Sequence, residues 1–325
     1  MHLCLGQPQR HAGQPGGVPA SRPDARAASP AGGVSPLIAA AIALALAAAV
    51  IHGTWNVLVK VSGDPMITFQ RATIAAALVI TPPTAVAWLL TGRPGFSQAA
   101  AGWCLLSASL ELVYLWLLAT AYRRGELSVV YPIARGSAPL LAVVAGLGLL
   151  NERLSTAQLA GVGLLLLGIL AVTIPQTSGR ATVPALLTGV AIASYTAIDR
   201  VGVRLSTPWL YGWLLVMLLA AGLTVSMWVA ARLTASRTTL VDKAGAPPPL
   251  GRAKATLIGV MMWGGYLLVL WALSFAPLSV VAPVRETAVV GVAVWGVWRL
   301  RESKAAAMKL SGAVATLVGV SLLAF

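Results

Sequence analysis

The sequence predicts an all-α membrane protein with ten transmembrane helices, built as two inverted five-helix repeats. Three observations predict this fold: an apolar composition, ten apolar runs of about spanning length, and an internal repeat. Hydrophobic residues make up 58% of the 325 residues, and Asp, Glu, Lys and Arg together make up only 10%. Because soluble domains carry about 25% charged residues, this composition excludes a soluble protein.

The apolar runs begin after residue 33. A transmembrane helix needs about 20 mostly apolar residues, and the expected helices are residues 36–59, 66–90, 98–121, 127–150, 156–174, 183–205, 209–232, 254–275, 279–299 and 305–325. We expect the first repeat at 36–175 and the second at 181–325. Residues 1–33 are rich in Gly, Pro, Ala and Arg and contain no apolar stretch, which predicts a disordered tail.

A repeat relates the two halves of the chain. Residues 128–133 (SVVYPI) match residues 279–284 (SVVAPV) at an offset of 151, whereas near the start of each half Pro65 matches Pro208 at an offset of 143. The larger offset also aligns glycines that we interpret as helix-packing residues, Gly161 with Gly312 and Gly168 with Gly319. Five helices in each repeat predict opposite orientations of the two copies, an arrangement typical of transporters with a site near the bilayer midplane.

Charged residues near the middle of two predicted helices are candidates for function. Arg135 lies about eight residues into the fourth helix, and Arg285 and Glu286 lie about seven residues into the ninth, which is a depth of about 10–12 Å. Ionisable groups at this depth normally face a cavity or a partner. Since the offset of 151 aligns Arg135 with Glu286, we expect these two to face each other. A substrate- or proton-coupling pair and a structural ion pair between the halves both remain open.

A second polar group recurs near the start of each half. The offset of 143 aligns His52 with Tyr195 and Asn56 with Asp199. Residues four apart share one helical face, and Trp55 widens that face in the first helix. The recurrence indicates a cavity face in each half. The alternative is that His52 is a satisfied structural residue.

Glu111 in the third helix is a further candidate, with Tyr114 three residues later and Tyr266 at a matching depth in the eighth helix. Glu111 either contacts substrate or pairs with a nearby Arg. Other tryptophans are interpreted as mostly interfacial or lipid-facing, namely Trp103, Trp116, Trp263, Trp271, Trp295 and Trp298.

Signals for catalysis and cofactors are missing from the sequence. There is no phosphate-binding Gly-Lys-Ser/Thr loop and no metal-ligand pattern, so we expect no enzyme activity, no cofactor and no metal. The net charge of +14 is scattered through loops, and we expect no nucleic-acid partner. Concentrative transport would then depend on an ion gradient or on exchange.

Four stretches together resemble the drug/metabolite transporter superfamily, specifically its ten-helix EamA-type branch. They are His52–Asn56 with Lys60, Tyr131–Gly136, Leu150–Leu154 and Pro283–Thr287. The resemblance covers residues 36–325 and adds Tyr131 to the candidate site. It implies a multi-pass plasma-membrane carrier, often an exporter, of amino acids, other small polar metabolites or drugs. It also implies a central cavity lined by the first, third, fourth, sixth, eighth and ninth helices.

The sequence therefore favours a secondary transporter and exporter of a small polar metabolite or amino acid, with a small-molecule substrate and the lipid bilayer as its partners. A flippase for a lipid-linked substrate would instead have an open lateral groove lined by cationic groups, and a non-transporting scaffold would have a sealed apolar interior. Homo-oligomerisation stays open. The orientation of the termini also stays open, because the loop charges and the resemblance favour opposite answers.

Overall fold

The computed structural model describes residues 35–125, 127–173, 180–234, 250–288, 290 and 306–323. Within them the helices are α1 (Pro36–Lys60), α2 (Pro65–Leu90), α3 (Gln98–Arg124), α4 (Leu127–Gly148), α5 (Thr156–Thr173), α6 (Thr182–Gly202), α7 (Pro208–Thr234), α8 (Arg252–Phe275), α9 (Leu278–Arg285) and α10 (Ala306–Leu322). The predicted disordered tail, residues 1–33, and residues 291–299 of the predicted ninth helix lie outside the described residues.

Six of the described helices are long and apolar enough to cross a membrane: α1, α2, α3, α6 with the short 3₁₀ turn that follows it, α7 and α8. Shorter apolar helices cover Ile133–Gly148, Thr156–Ala171 and Leu310–Leu322. The outer surface is apolar as well, with Leu78 71% exposed and Val50 70% exposed. Because water does not favour such a surface, the chain is a multi-pass membrane protein.

Side-chain caps fix where the second and third helices begin. The Asp64 carboxylate accepts hydrogen bonds from the N–H groups of Met66 (2.9 Å) and Ile67 (3.1 Å), and Pro65 occupies the first helical position of α2, where its missing N–H has no cost. Ser97 caps α3 by accepting from the Ala100 N–H at 3.1 Å. These caps satisfy N–H groups that have no partner within the helix.

The ninth helix is shorter than predicted. The expectation of one continuous helix over 279–299 is wrong, because α9 ends at Arg285 after eight residues. The N–H groups of Glu286 and Thr287 donate to the carbonyls three residues earlier, at 3.1 and 3.2 Å, which tightens the last turn. Pro283 also has no N–H to donate to the preceding turn. Arg285 and Glu286 consequently lie at a helix end.

The most extensive helix contacts join the first half of the chain to the second. α3 packs along α6, and α8 packs along α1, while α2 contacts both α7 and α8. α4 packs on α6 and α9, and α5 packs on α10. The buried core therefore lies between the two halves, and residues from both halves can meet in it.

Glycines bring α5 and α10 into close contact. A Cβ atom on Gly161 would lie 2.8 Å from the Gly319 carbonyl oxygen, and one on Gly319 would lie 2.7 Å from the Gly161 carbonyl oxygen. Further along, a Cβ atom on Gly168 would lie 2.5 Å from the Gly312 carbonyl oxygen. The residue numbers rise along α5 as those of their partners fall along α10, so the two helices run antiparallel. Small residues permit this close approach in membranes.

We predict that Gly161→Ala destabilises the protein by about 1–3 kcal/mol, because the new methyl group forces α5 away from the α10 backbone. Gly163→Ala is the matched control, since nothing lies within 4 Å of a Cβ atom there and alanine favours helix by up to about 1 kcal/mol over glycine. The measurement is thermal unfolding of each purified variant in the same detergent. Equal stability of the two variants would contradict the proposed close packing.

Candidate functional site

A cavity lies between α1, α2, α3, α6, α7 and α8. The volume of this cavity is about 70 Å³, which is room for several water molecules. One part of the lining is apolar, formed by Leu215, Val216, Leu219, Met262, Leu267 and Leu270. The other part is polar and aromatic, formed by His52, Trp55, Thr73, Glu111, Tyr114, Tyr195, Trp263 and Tyr266. The cavity thus combines an apolar region with a polar one.

Half of the predicted site residues line this cavity: His52, Trp55, Glu111, Tyr114, Tyr195 and Tyr266. The others are absent from its lining: Asn56, Tyr131, Arg135, Asp199, Arg285 and Glu286. The resemblance implied lining by the fourth and ninth helices, but in this structure α2 and α7 take that place. The polar interior is therefore divided into a cavity and a separate charged cluster.

Aromatic rings form a continuous wall on the polar side. The ring centroids of His52 and Trp55 are 5.8 Å apart, and those of His52 and Tyr266 are 6.5 Å apart. Tyr195 continues the series, at 5.8 Å from Tyr266 and 5.5 Å from Tyr114. The Nδ1 atom of His52 lies 2.8 Å from the Ala48 carbonyl. Since a carbonyl only accepts, Nδ1 carries the proton.

Three buried polar atoms of the lining have no hydrogen-bond partner within the described residues. They are Glu111 Oε1, Trp55 Nε1 and Trp263 Nε1. Glu111 is 7% exposed and Trp55 is 3% exposed, and Glu111 forms no ion pair in the described part of the chain. A buried polar group without a partner is unfavourable by about 1–3 kcal/mol. The side chains that carry these atoms line the cavity, which places them next to a bound ligand or water molecule.

A buried ion cluster joins α4 to α9. Arg135 Nη1 donates to both carboxylate oxygens of Glu286, at 3.0 and 3.2 Å, and Arg285 Nε donates to Glu286 Oε1 at 2.9 Å. One carboxylate thus holds two guanidinium groups. Arg135 Nη2 and Arg285 Nη1 have no partner among the described residues. Tyr131 places its ring 5.8 Å from the Arg135 guanidinium carbon, within cation–π range.

The remaining polar candidates are bonded to tyrosines. Asp199 accepts hydrogen bonds from the hydroxyl groups of Tyr211, at 2.8 Å, and of Tyr266. The Tyr122 hydroxyl donates to Asn56 Oδ1 at 2.7 Å. Asp199 therefore lies behind Tyr266, one residue removed from the cavity, whereas Asn56 has a structural partner between α1 and α3.

Glu152 has a structural role that the sequence interpretation did not assign. It accepts hydrogen bonds from the N–H groups of Leu278 (2.7 Å) and Ser279 (2.9 Å), and from the Ser279 hydroxyl. It also pairs with Arg200 at 3.4 Å. These bonds cap the N-terminus of α9. The stretch Leu150–Leu154 carried the resemblance, but a loop position gave no sign of what its carboxylate contacts.

Residues of α2, α7 and α8 were also missed. Trp263 was interpreted as interfacial or lipid-facing, yet its indole ring lines the cavity. Its spacing of three from Tyr266 was the available signal, because residues three apart share a helical face. Thr73 and Leu215 carry no charge, so nothing in the sequence distinguished them from ordinary membrane-helix residues.

Comparison with known proteins supports the predicted resemblance. The EamA-like transporter family model matches residues 39–174, which confirms the resemblance over the first half of the chain. A solved structure, described only as "Crystal structure of protein", superposes with a TM-score of 0.60 at 15% identity, covering 88% of this chain and 97% of that one. That likeness shows a shared fold alone. No curated protein matches the chain.

We predict an asymmetric response of the ion cluster to neutralisation. Glu286→Gln should destabilise the protein by about 3–5 kcal/mol, because it leaves two buried guanidinium groups without their carboxylate. Arg135→Gln should have a smaller effect, because Arg285 still pairs with Glu286. The measurement is thermal unfolding in detergent of both single variants and the double variant. The interpretation fails if Arg135→Gln destabilises as much as Glu286→Gln does.

Proposed function

We propose that this chain, which matches the EamA-like transporter family over residues 39–174, is a secondary transporter of a small polar metabolite or amino acid in the plasma membrane. It would act without catalysis and, as the resemblance favours, as an exporter. The sequence has no phosphate-binding loop for ATP. An ion gradient or exchange would therefore supply the energy.

The observation that carries this proposal is the burial of charged groups from both halves at the centre of the helix bundle. Arg135 and Glu111 come from the first half, and Asp199, Arg285 and Glu286 come from the second. Charges within a membrane protein are unfavourable and mark substrate or ion pathways. A cavity with unpartnered polar atoms adjoins them, as a transport site requires.

Contacts between equivalent residues support the proposed inverted repeat. Under a two-fold axis in the membrane plane, a contact of Gly161 with the equivalent of Gly168 implies a contact of Gly168 with the equivalent of Gly161. At the offset of 151 these equivalents are Gly319 and Gly312, the residues that they contact. Arg135 likewise contacts its own equivalent, Glu286. The antiparallel course of α5 and α10 fits the same symmetry.

A pair of helix-end contacts is similar in the two halves, with equivalent acceptors but with donors at positions that neither offset relates. Lys60, at the end of α1, donates to the Tyr122 carbonyl at 2.7 Å. Arg200, near the end of α6, donates to the Leu273 carbonyl at 2.7 Å, and Leu273 is the equivalent of Tyr122 at the offset of 151. In each half a cation from the first helix thus satisfies a carbonyl in the last turn of the third.

The two alternative functions receive less support. A groove of about 530 Å³ lies between α2 and α7, but its lining is mostly apolar and contains Arg93 as the one cation among the described residues. A second groove, of about 770 Å³, lies between α3 and α6 and contains Arg124 and Arg180. Both of these cations lie at helix ends, whereas a flippase for an anionic lipid-linked substrate would need cations along its groove. A scaffold would have a sealed apolar interior, whereas Glu111 and His52 line the cavity.

Transport by the purified full-length chain in liposomes tests the proposal. Thermal-shift screening against amino acids and small polar metabolites first identifies a ligand, since binding to the native state raises its stability. Counterflow of that ligand is then measured for the native protein, Arg135→Lys and Glu286→Asp. Both variants retain their charges but shift the charged group, so the contact of one Arg135 nitrogen with both Glu286 oxygens is lost. Transport should therefore fall about tenfold or more.

Arg123→Lys is the matched control. Arg123 pairs with Asp64 at 2.7 Å near the ends of α2 and α3, with its side chain 45% exposed, and exposed pairs contribute little. Its transport should equal that of the native protein. Unchanged counterflow in both cluster variants, with normal folding by size-exclusion chromatography, would refute the role of this cluster.

A further inference from the structure

We propose that the cavity binds the ammonium group of a small organic cation, with Glu111 as its anionic partner. This inference rests on the proposed transport function and names its substrate class. The ligand would place its positive charge against the polar wall of the cavity and its hydrocarbon part against the leucines of α7 and α8.

The balance of buried charge favours a cation. The central group of buried ionisable residues contains three carboxylates, Glu111, Asp199 and Glu286, but only two guanidinium groups, Arg135 and Arg285. Arg200 is already paired with Glu152 and does not contribute. The carboxyl groups outnumber the guanidinium groups by one, so a single bound cation would balance the charge of Glu111 in its ionised form. Such balance is strongly favoured where water is excluded.

Glu111 is the carboxylate available to that cation. Glu286 holds two guanidinium groups, and Asp199 accepts from Tyr211 and Tyr266. The Glu111 side chain, by contrast, lines the cavity, and its Oε1 atom has no hydrogen-bond partner in the described part of the chain. An ammonium group donates up to three hydrogen bonds, and a charge-assisted bond to this oxygen would satisfy it.

The surrounding rings fit the same ligand. Tyr114, Tyr195, Tyr266, Trp55 and His52 line the polar side of the cavity, and aromatic faces attract cations most strongly when water is excluded. The unpartnered indole N–H groups of Trp55 and Trp263 would each donate to an oxygen of the ligand or of a water molecule. The polar side therefore suits a positive charge with a hydroxyl or carbonyl group nearby.

Neither a metal ion nor an anion fits as well. No group of three or more His, Cys, Asp and Glu side chains that could hold a metal occurs among the described residues. The two guanidinium groups that could attract an anion, Arg135 and Arg285, are absent from the lining. Glu111 is the one charged side chain in the described lining, and it repels anions.

Binding to the full-length protein in lipid nanodiscs tests the inference. Two probe series are titrated by calorimetry, each with matched ammonium, alcohol and carboxylate members: butylammonium, 1-butanol and butanoate, and 2-phenylethylammonium, 2-phenylethanol and 3-phenylpropanoate. The ammonium member should bind about tenfold or more tightly than either partner in at least one series. Glu111→Gln should abolish this preference, and Glu111→Asp, which keeps the charge, should retain it.

Glu152→Gln is the control for the loss of a buried carboxylate elsewhere, and it should lower thermal stability without changing the preference among the probes. Equal or tighter binding of the carboxylate members, an unchanged preference in Glu111→Gln, or no binding of either ammonium probe to folded protein would overturn the inference. Counterflow in liposomes separates the two proposals. If the ammonium probe binds but no ligand is transported, the transport proposal fails and the cation site stands.

Discussion

The burial of charge at the level of the lipid is the constraint on which the rest of this structure depends. Each charged side chain in the interior must be compensated by another group, because lipid offers neither water nor counterions. The Glu286 carboxylate compensates the charges of two arginines at once. Since these arginines come from α4 and α9, the same compensation also holds the two halves of the chain together.

The polar backbone groups at helix ends inside the bundle also need partners. The first N–H groups and the last carbonyls of a helix have no partner within it, and several helices begin or end against other helices here. Glu152 accepts hydrogen bonds from the first N–H groups of α9, and Lys60 and Arg200 donate to carbonyls in the last turns of α3 and α8. Glu152, Lys60 and Arg200 thus serve the fold, which separates them from Glu111.

How far the sequence predicted this molecule depends on the scale of the feature. The helix positions followed from runs of apolar residues, and the repeat offset by itself paired Arg135 with Glu286. The end of α9 at Arg285 escaped prediction, because the apolar run continues through a position where the hydrogen bonding changes. The lining by Thr73 and Leu215 also escaped it, since uncharged residues on membrane helices look alike whether they face lipid, a neighbour or a cavity.

The short α9 has a mechanical consequence. At about 1.5 Å per residue, its eight residues form a helix about 12 Å long. The Glu152 carboxylate accepts hydrogen bonds at one end of this helix, and the Arg135–Glu286 pair lies at the other end. A helix of that length is too short to bend appreciably. Any rearrangement that separates Arg135 from Glu286 must therefore either tilt α9 as a rigid body or move the loop between α4 and α5 that carries Glu152. In both cases a change at the ion cluster is coupled to a change at this loop.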